Sequence, residues 1–234
     1  MNVVVPAQLS HTSLRPPVLV IAAHPDDETL GCGGTIARMV RERVSVDVVI
    51  VTQTGPYLDR YQNVSGDLDA RRQSEAHAAC EVLGVRDLFF GDFEETHLAA
   101  RPFPALVEFL RHMIERVNPA VILTHSDSDL HQDHRAIHEA TCIAARAHLR
   151  TATPNLRRVL AYSSDVTHHV GANIYVDITA TLRAKLDALR CYTSELRDYP
   201  HPRSTLATKF RARSTGVLAS MTAAEAFSLV WEVI

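Results

Sequence analysis

The chain predicts an α/β fold with a mostly parallel sheet and helices on both faces. Three observations carry that expectation. Strand-like apolar runs alternate with helix-like amphipathic segments as far as about Arg150, the pattern of successive βα units. The run Val46 to Thr52 is rich in β-branched residues, which favour strands. The 234 residues are 46% apolar and 22% charged, enough to build a core and far from the composition of a disordered chain.

The elements follow in order. Val18 to Ala23 reads as a strand, and Thr29 to Arg43 as a helix. Val46 to Thr52 is rich in β-branched residues and reads as the second strand; a Gly/Pro/Tyr/Asn loop from Thr54 to Gly66 leads to a helix from Asp69 to Leu83, closed by Gly84. Asp87 to Phe90 is a short strand, Pro104 to Val117 a helix, Ala120 to Thr124 a strand and His134 to Leu149 a helix. Beyond Arg150 the pattern weakens. Val159 to Ser163 and Asn173 to Ile178 read as strands, Leu182 to Cys191 as a helix, Tyr199 to Gly216 as a long surface loop and Ala223 to Val230 as a last helix. No repeat or linker divides the chain, so one domain over 1–234 is expected, with about 1–16 as a flexible extension and about 151–234 as the region that shapes the pocket.

Composition removes several function classes. A net charge of -3 gives no positive field for a phosphate backbone, so nucleic acid is not an expected partner. Cys32, Cys80, Cys142 and Cys191 are far apart and form no CxxC pair, which excludes a disulfide scaffold and a thiolate zinc site. The first seventeen residues lack the basic start and apolar stretch of a signal peptide. No apolar run approaches the roughly 18 residues that cross a bilayer. A cytoplasmic protein without a membrane partner is expected, and a homo-oligomer stays open.

Ligands in open α/β sheets bind beyond the carboxyl ends of the strands. Two segments rich in histidine and aspartate fall there: His24-Pro25-Asp26-Asp27-Glu28 after the first strand, and His125 to Arg135 after Ala120 to Thr124. A hydrolytic zinc site wants three nitrogen or oxygen ligands and one open position, and these segments hold the residue types for it. His24 precedes a proline, which favours an extended strand-end backbone. Asp27 falls in the first helical turn, and His131 and His134 share one face of a turn. Taken singly, each segment has a plainer reading: the acidic residues complement a helix N-terminus, and a His-x-x-His pair occurs on many surfaces. Their coincidence at two strand ends favours a metal centre. Gly31, Gly33 and Gly34 do not read as a phosphate loop, because Asp26, Asp27 and Glu28 would repel phosphate.

Ala23-His24-Pro25-Asp26-Asp27-Glu28 resembles the AHPDDE signature of the PIG-L/LmbE-like N-deacetylases. His131-Gln132-Asp133-His134 resembles their HPDH signature, with Gln132 in place of the proline. Arg72 to Glu75, followed by Leu83-Gly84, is similar to the family's RxxE…LG helix. The resemblance spans about residues 18 to 150. It implies a Rossmann-like three-layer fold and one Zn2+ per chain on His24, Asp27 and His134. Asp26 would be the general base, and His131 the group that stabilises the oxyanion or protonates the leaving amine. Asp133 is expected to fix the His131 tautomer, and Arg72 and Asp92 are candidate substrate contacts. The implied activity is removal of an N-acetyl group from a small sugar-containing substrate. Rival readings are an amidase for a larger acyl group or thiol conjugate, and a non-catalytic metal- or sugar-binding module.

Overall fold

The structure is a computed structural model that describes residues 17–53, 67–98, 103–146, 153–164 and 171–234. Seven strands form one sheet: β1 (Val18–Ala22), β2 (Val46–Gln53), β3 (Asp87–Glu94), β4 (Val121–His125), β5 (Arg158–Tyr162), β6 (Ile174–Asp177) and β7 (Ala224–Glu232). Their order across the sheet is β3-β2-β1-β4-β5-β7-β6. The first five run parallel, while β7 pairs antiparallel with both β5 and β6. Every residue of β1 is buried, because helices cover both of its faces.

Among the described residues the helices are α1 (Asp27–Arg41), α2 (Leu68–Leu83), α3 (Phe103–Val117), α4 (Gln132–Ala144), α5 (Leu182–Leu189) and α6 (Thr205–Leu218). Alternate β1 residues feed two cores. Val18, Val20 and Ala22 pack with Ile36 of α1, Ala79 of α2 and Ala188 of α5. Leu19, Ile21 and Ala23 pack with Leu110 of α3 and Ile137 of α4. The result is the expected three-layer α/β sandwich. The chain leaves β1 toward β2 and β3, then crosses back to β4 and β5 on the other side, so β1 and β4 flank the point where strand order reverses.

The glycines after Glu28 serve packing. A Cβ on Gly31 would lie 2.1 Å from the Tyr162 ring, and one on Gly34 would lie 2.7 Å from Ile178. Only glycine lets α1 sit this close to β5 and to the segment after β6.

Three expectations change. Strand β3 runs to Glu94, four residues further than its apolar start predicts, because it pairs along β2 as far as Gln53. The segment read as a loop over 199–216 contains helix α6, capped by the Ser204 hydroxyl, which accepts the Ala207 N–H; Pro200 and Pro202 lie before the cap and do not interrupt it. The segment read as a last helix is β7. Its Ala and Glu residues favour a helix locally, and pairing on both sides overrides that preference. The expected extension 1–16, the loop 54–66 and the last turn of the fourth helix lie outside the described residues. No described helix is long and apolar enough to cross a membrane.

Candidate metal and catalytic site

His24 follows β1 directly, and the backbone then bends sharply. Asp26 has φ 113°, a conformation costly for a residue with a side chain. Its backbone N–H is held by Glu28, whose carboxylate is buried and accepts from the hydroxyls of Thr29 (2.5 Å) and Tyr192 (2.6 Å). The bend aims Asp27 back over the strand end, where its Oδ2 accepts the His24 N–H at 2.9 Å. The second segment leaves β4 at His125 and enters α4 at His131, the N-cap residue.

Three donor atoms from the two segments converge. His24 Nδ1 is 3.1 Å from Asp27 Oδ2, His134 Nε2 is 3.2 Å from the same oxygen, and the two ring nitrogens are 3.3 Å apart. The opposite side of each ring faces a carboxylate. His24 Nε2 donates to Asp133 Oδ2 at 3.1 Å, and His134 Nδ1 lies 2.9 Å from Asp129 Oδ2, off the line of a good hydrogen bond. Those partners draw the ring protons outward and leave two imidazole lone pairs and a carboxylate oxygen facing one another. A tetrahedral cation with bonds of about 2.0–2.2 Å sets its ligands about 3.3–3.5 Å apart, close to the observed triangle. The residues therefore fit a divalent metal such as zinc. Two overlapping triplets, His24/His131/His134 and Asp27/His125/His134, also bring one donor each within 4.8 Å. His125 is a poor candidate, since its Nε2 already accepts the Ala23 N–H at 2.9 Å and the ring is fully buried against Tyr162.

The charges follow from this crowding. Burial works against protonation of His24, but its contacts with Asp133 and Asp27 win and push its pKa up to about 10. His134 is pushed up to about 9, with Asp27 and Asp129 outweighing burial. A cation at the triangle would supply the positive charge that these carboxylates otherwise draw from protons. Burial raises Asp26 well above the ordinary carboxylate range, Arg203 opposes it, and Asp27 adds to it. Both Asp26 side-chain oxygens are buried with no hydrogen-bond donor, so Asp26 holds the N-cap position of α1 without capping it through its side chain.

The His131 ring meets His24 edge-on at 4.6 Å and stacks on His134 at 4.7 Å between ring centres. Its Nδ1 accepts the Asp133 N–H, so the neutral ring carries its proton on Nε2. Burial and the neighbouring His24 lower its pKa, which favours that neutral form. The expected tautomer-fixing role of the Asp133 carboxylate falls elsewhere: it holds His24 and also accepts the Thr96 N–H at 2.7 Å. Gln132 secures the same turn by donating to Thr96 O at 2.6 Å.

Two expected substrate contacts do not face the cleft. Arg72 is buried between Glu95 (2.7 Å) and Glu195 (3.2 Å). Asp92 is exposed inside β3, because the strand continues past it. Glu95, just beyond the true strand end, is the carboxylate that turns inward, 3.9 Å from His24 Nε2. Sequence reasoning also passed over Glu195 and Arg203. Arg203 pairs with Glu195 at 2.7 Å, and its Nε lies 3.6 Å from Asp26 Oδ2. The charges thus form a chain from His24 through Glu95, Arg72, Glu195 and the half-exposed Arg203 to Asp26. A strand end correctly drawn at Glu94 would have exposed Glu95; nothing local marks Glu195 or Arg203.

A family model described as PIG-L, GlcNAc-PI de-N-acetylase, matches residues 19–145. That span holds the donor triangle and leaves Glu195 and Arg203 outside it. The chain is similar to "Uncharacterized deacetylase YaiS" of Escherichia coli K12, with 32% identity over 144 residues, 60% of this chain and 74% of that protein. It is similar to the diacetylchitobiose deacetylase of Thermococcus kodakarensis, with 29% identity over 192 residues, 76% of this chain and 69% of that protein. Among solved structures, the conserved protein TT1542 of Thermus thermophilus matches with a TM-score of 0.74 and 26% identity, over 93% of this chain and 96% of that one.

Proposed function

The chain belongs to the PIG-L family, and from that premise we propose that it is a zinc-dependent hydrolase that removes the N-acetyl group from a small sugar-like substrate. The observation that carries the reading is the triangle of inward-facing lone pairs beside a buried carboxylate that accepts no hydrogen bond. The name of the Thermococcus relative supports an N-acetylated sugar as substrate.

In this reading His24 Nδ1, Asp27 Oδ2 and His134 Nε2 hold the metal. A divalent ion there supplies a Lewis acid that acidifies water and polarises an amide carbonyl. Asp133 and Asp129 orient the two histidines and raise the basicity of their free nitrogens. Asp26 takes the proton of the attacking water: burial makes its carboxylate more basic against the opposing charge of Arg203, and no hydrogen bond occupies its oxygens. His131 donates its Nε2 proton as a hydrogen bond to the oxyanion that develops on the carbonyl oxygen. The nitrogen of the breaking amide must leave as an amine. Asp26, protonated by the first step, returns that proton to the nitrogen, giving the free amine and acetic acid, which ionises to acetate.

The test is acetate release and bound zinc in Asp26→Asn and His24→Ala. The expected outcome is that Asp26→Asn keeps stoichiometric metal and loses activity by about 10²–10⁴-fold, while His24→Ala loses both. Full activity in Asp26→Asn, or full metal in His24→Ala, rejects the assignment.

A further inference from the structure

We propose that Arg203 is the positioning residue of Asp26: its guanidinium, anchored by Glu195, fixes the carboxylate in the orientation from which it reaches the attacking water. The proposal rests on the deacetylase reading above and adds to it a residue from outside the span that the family model matches.

Asp26 has nothing of its own to set its orientation. Its backbone is bent at φ 113°, and both carboxylate oxygens are buried without a hydrogen bond. The last torsion of an aspartate is broad, so a carboxylate with no donor turns unless a charge holds it. The carboxylates of Asp27 and Glu28, one and two positions on, repel it. Among the described residues Arg203 is the one cationic side chain within ion-pair distance, with Nε 3.6 Å from Asp26 Oδ2. The Asp26 side chain is only 1% exposed, so water screens that attraction little.

Arg203 is itself held. Its Nη1 donates to Glu195 Oε2 at 2.7 Å, and the other oxygen of Glu195 pairs with Arg72 Nε at 3.2 Å. Its backbone N–H donates to His201 Nδ1 at 3.1 Å, and the next residue, Ser204, caps α6. The same stretch grips the bend from a second side. Tyr192 donates its hydroxyl to Glu28 Oε1, and Glu28 Oε2 accepts the Asp26 N–H at 3.3 Å. One return of the chain, over 192–203, thus sets both the backbone and the carboxylate of Asp26. Arg203 also lines the cleft over Asp27, His131 and His134. Direct contact with the substrate is therefore the rival role, and the two roles differ in what they do to kcat and KM.

The experiment compares the zinc-loaded native protein with Arg203→Gln, Arg203→Lys, Asp26→Asn and the double variant Arg203→Gln/Asp26→Asn. It reads acetate release from methyl N-acetylglucosaminide, bound zinc, and crystal structures of the native protein and Arg203→Gln. The Arg203 side chain is 40% exposed, so its variants are expected to fold, and thermal melts check that. In Arg203→Gln, kcat is expected to fall about 10–100-fold, with KM within about threefold of native and zinc stoichiometric. Arg203→Lys, which restores the charge, is expected to return to within about fivefold of native. The double variant is expected to be no more than about threefold slower than Asp26→Asn, since a positioning residue has nothing left to position. In the crystals the Asp26 carboxylate is expected to turn away or lose its order when Arg203 is replaced. Unchanged kcat overturns the proposal, as does a raised KM at native kcat, which would make Arg203 a substrate contact. So do losses that multiply in the double variant, or an Asp26 carboxylate that stays in place in Arg203→Gln. No acetate release by the native protein rejects the deacetylase reading alone, and the pair of crystal structures then still decides whether Arg203 holds Asp26.

Discussion

Lys185 and Glu225 offer a stringent test of how the site's main helix is held. Inside α1 the backbone leaves helical geometry at Cys32 (φ -141°, ψ 18°). In a regular helix the Gly34 N–H would bond to Leu30 O, and the Thr35 N–H to Gly31 O. Here both donors go to Glu225, at 2.9 and 2.7 Å, and Leu30 O accepts instead from Lys185 Nζ at 2.8 Å. One ion pair from β7 and α5 therefore replaces two rungs of the helix ladder. Both side chains are only 4% exposed. Lys185→Met leaves the Glu225 charge buried with two backbone donors and strips Leu30 O of its donor. Breaking a buried pair this way costs about 3–4 kcal/mol, or roughly 6–16 °C in Tm for a chain of this size. Urea unfolding followed by circular dichroism reads it as a lower midpoint at constant slope. Lys185→Met/Glu225→Gln should recover more than half of the loss, because no unpaired charge remains. A single variant within about 1 kcal/mol of native stability would refute the reasoning.

Three further outcomes follow from the packing and charges. Asp133→Asn should weaken zinc affinity about 10–100-fold in a chelator competition, since it loosens His24 without removing a ligand; unchanged affinity would show that Asp133 does not orient the metal's imidazole. Gly31→Ala should cost about 3 kcal/mol in unfolding free energy, because the added methyl meets the Tyr162 ring, itself fixed by its hydroxyl on Ile21 O and its contact with His125; a neutral result would mean that the ring moves freely. Glu75→Gln should cost about 1–2 kcal/mol near neutrality. Burial opposes the Glu75 charge, but bonds from Ser194, Thr193 and Arg71 hold its pKa below the ordinary 4.5. A carboxyl depressed in the folded state stabilises above its unfolded pKa and loses that contribution as pH falls through the folded value. The gap between Glu75→Gln and native stability should therefore close below about pH 4, and a gap independent of pH would count against the assignment.

The parallel half of the sheet and the two segments that carry the chemistry are legible in local residue patterns. A strand covered on both faces must be apolar throughout, so Val18 to Ala22 and Val121 to Thr124 are legible at once. Polar residues placed directly after them, His24 to Glu28 and His125 to His134, can only emerge at the carboxyl edge. Periodicity is a local signal, and it stops being informative where contacts are distant. The tertiary structure alone decided that Asp133 serves His24, 109 positions away in sequence, and that Asp129 serves His134. Pairing with β5 and β6 makes 224–232 a strand, and the packing of the last third of the chain brings Arg203 to Asp26. The strand over 224–232 and the approach of Arg203 depend on where the chain returns after β5. That return is fixed by the burial of whole faces against one another, and no short stretch of residues encodes it.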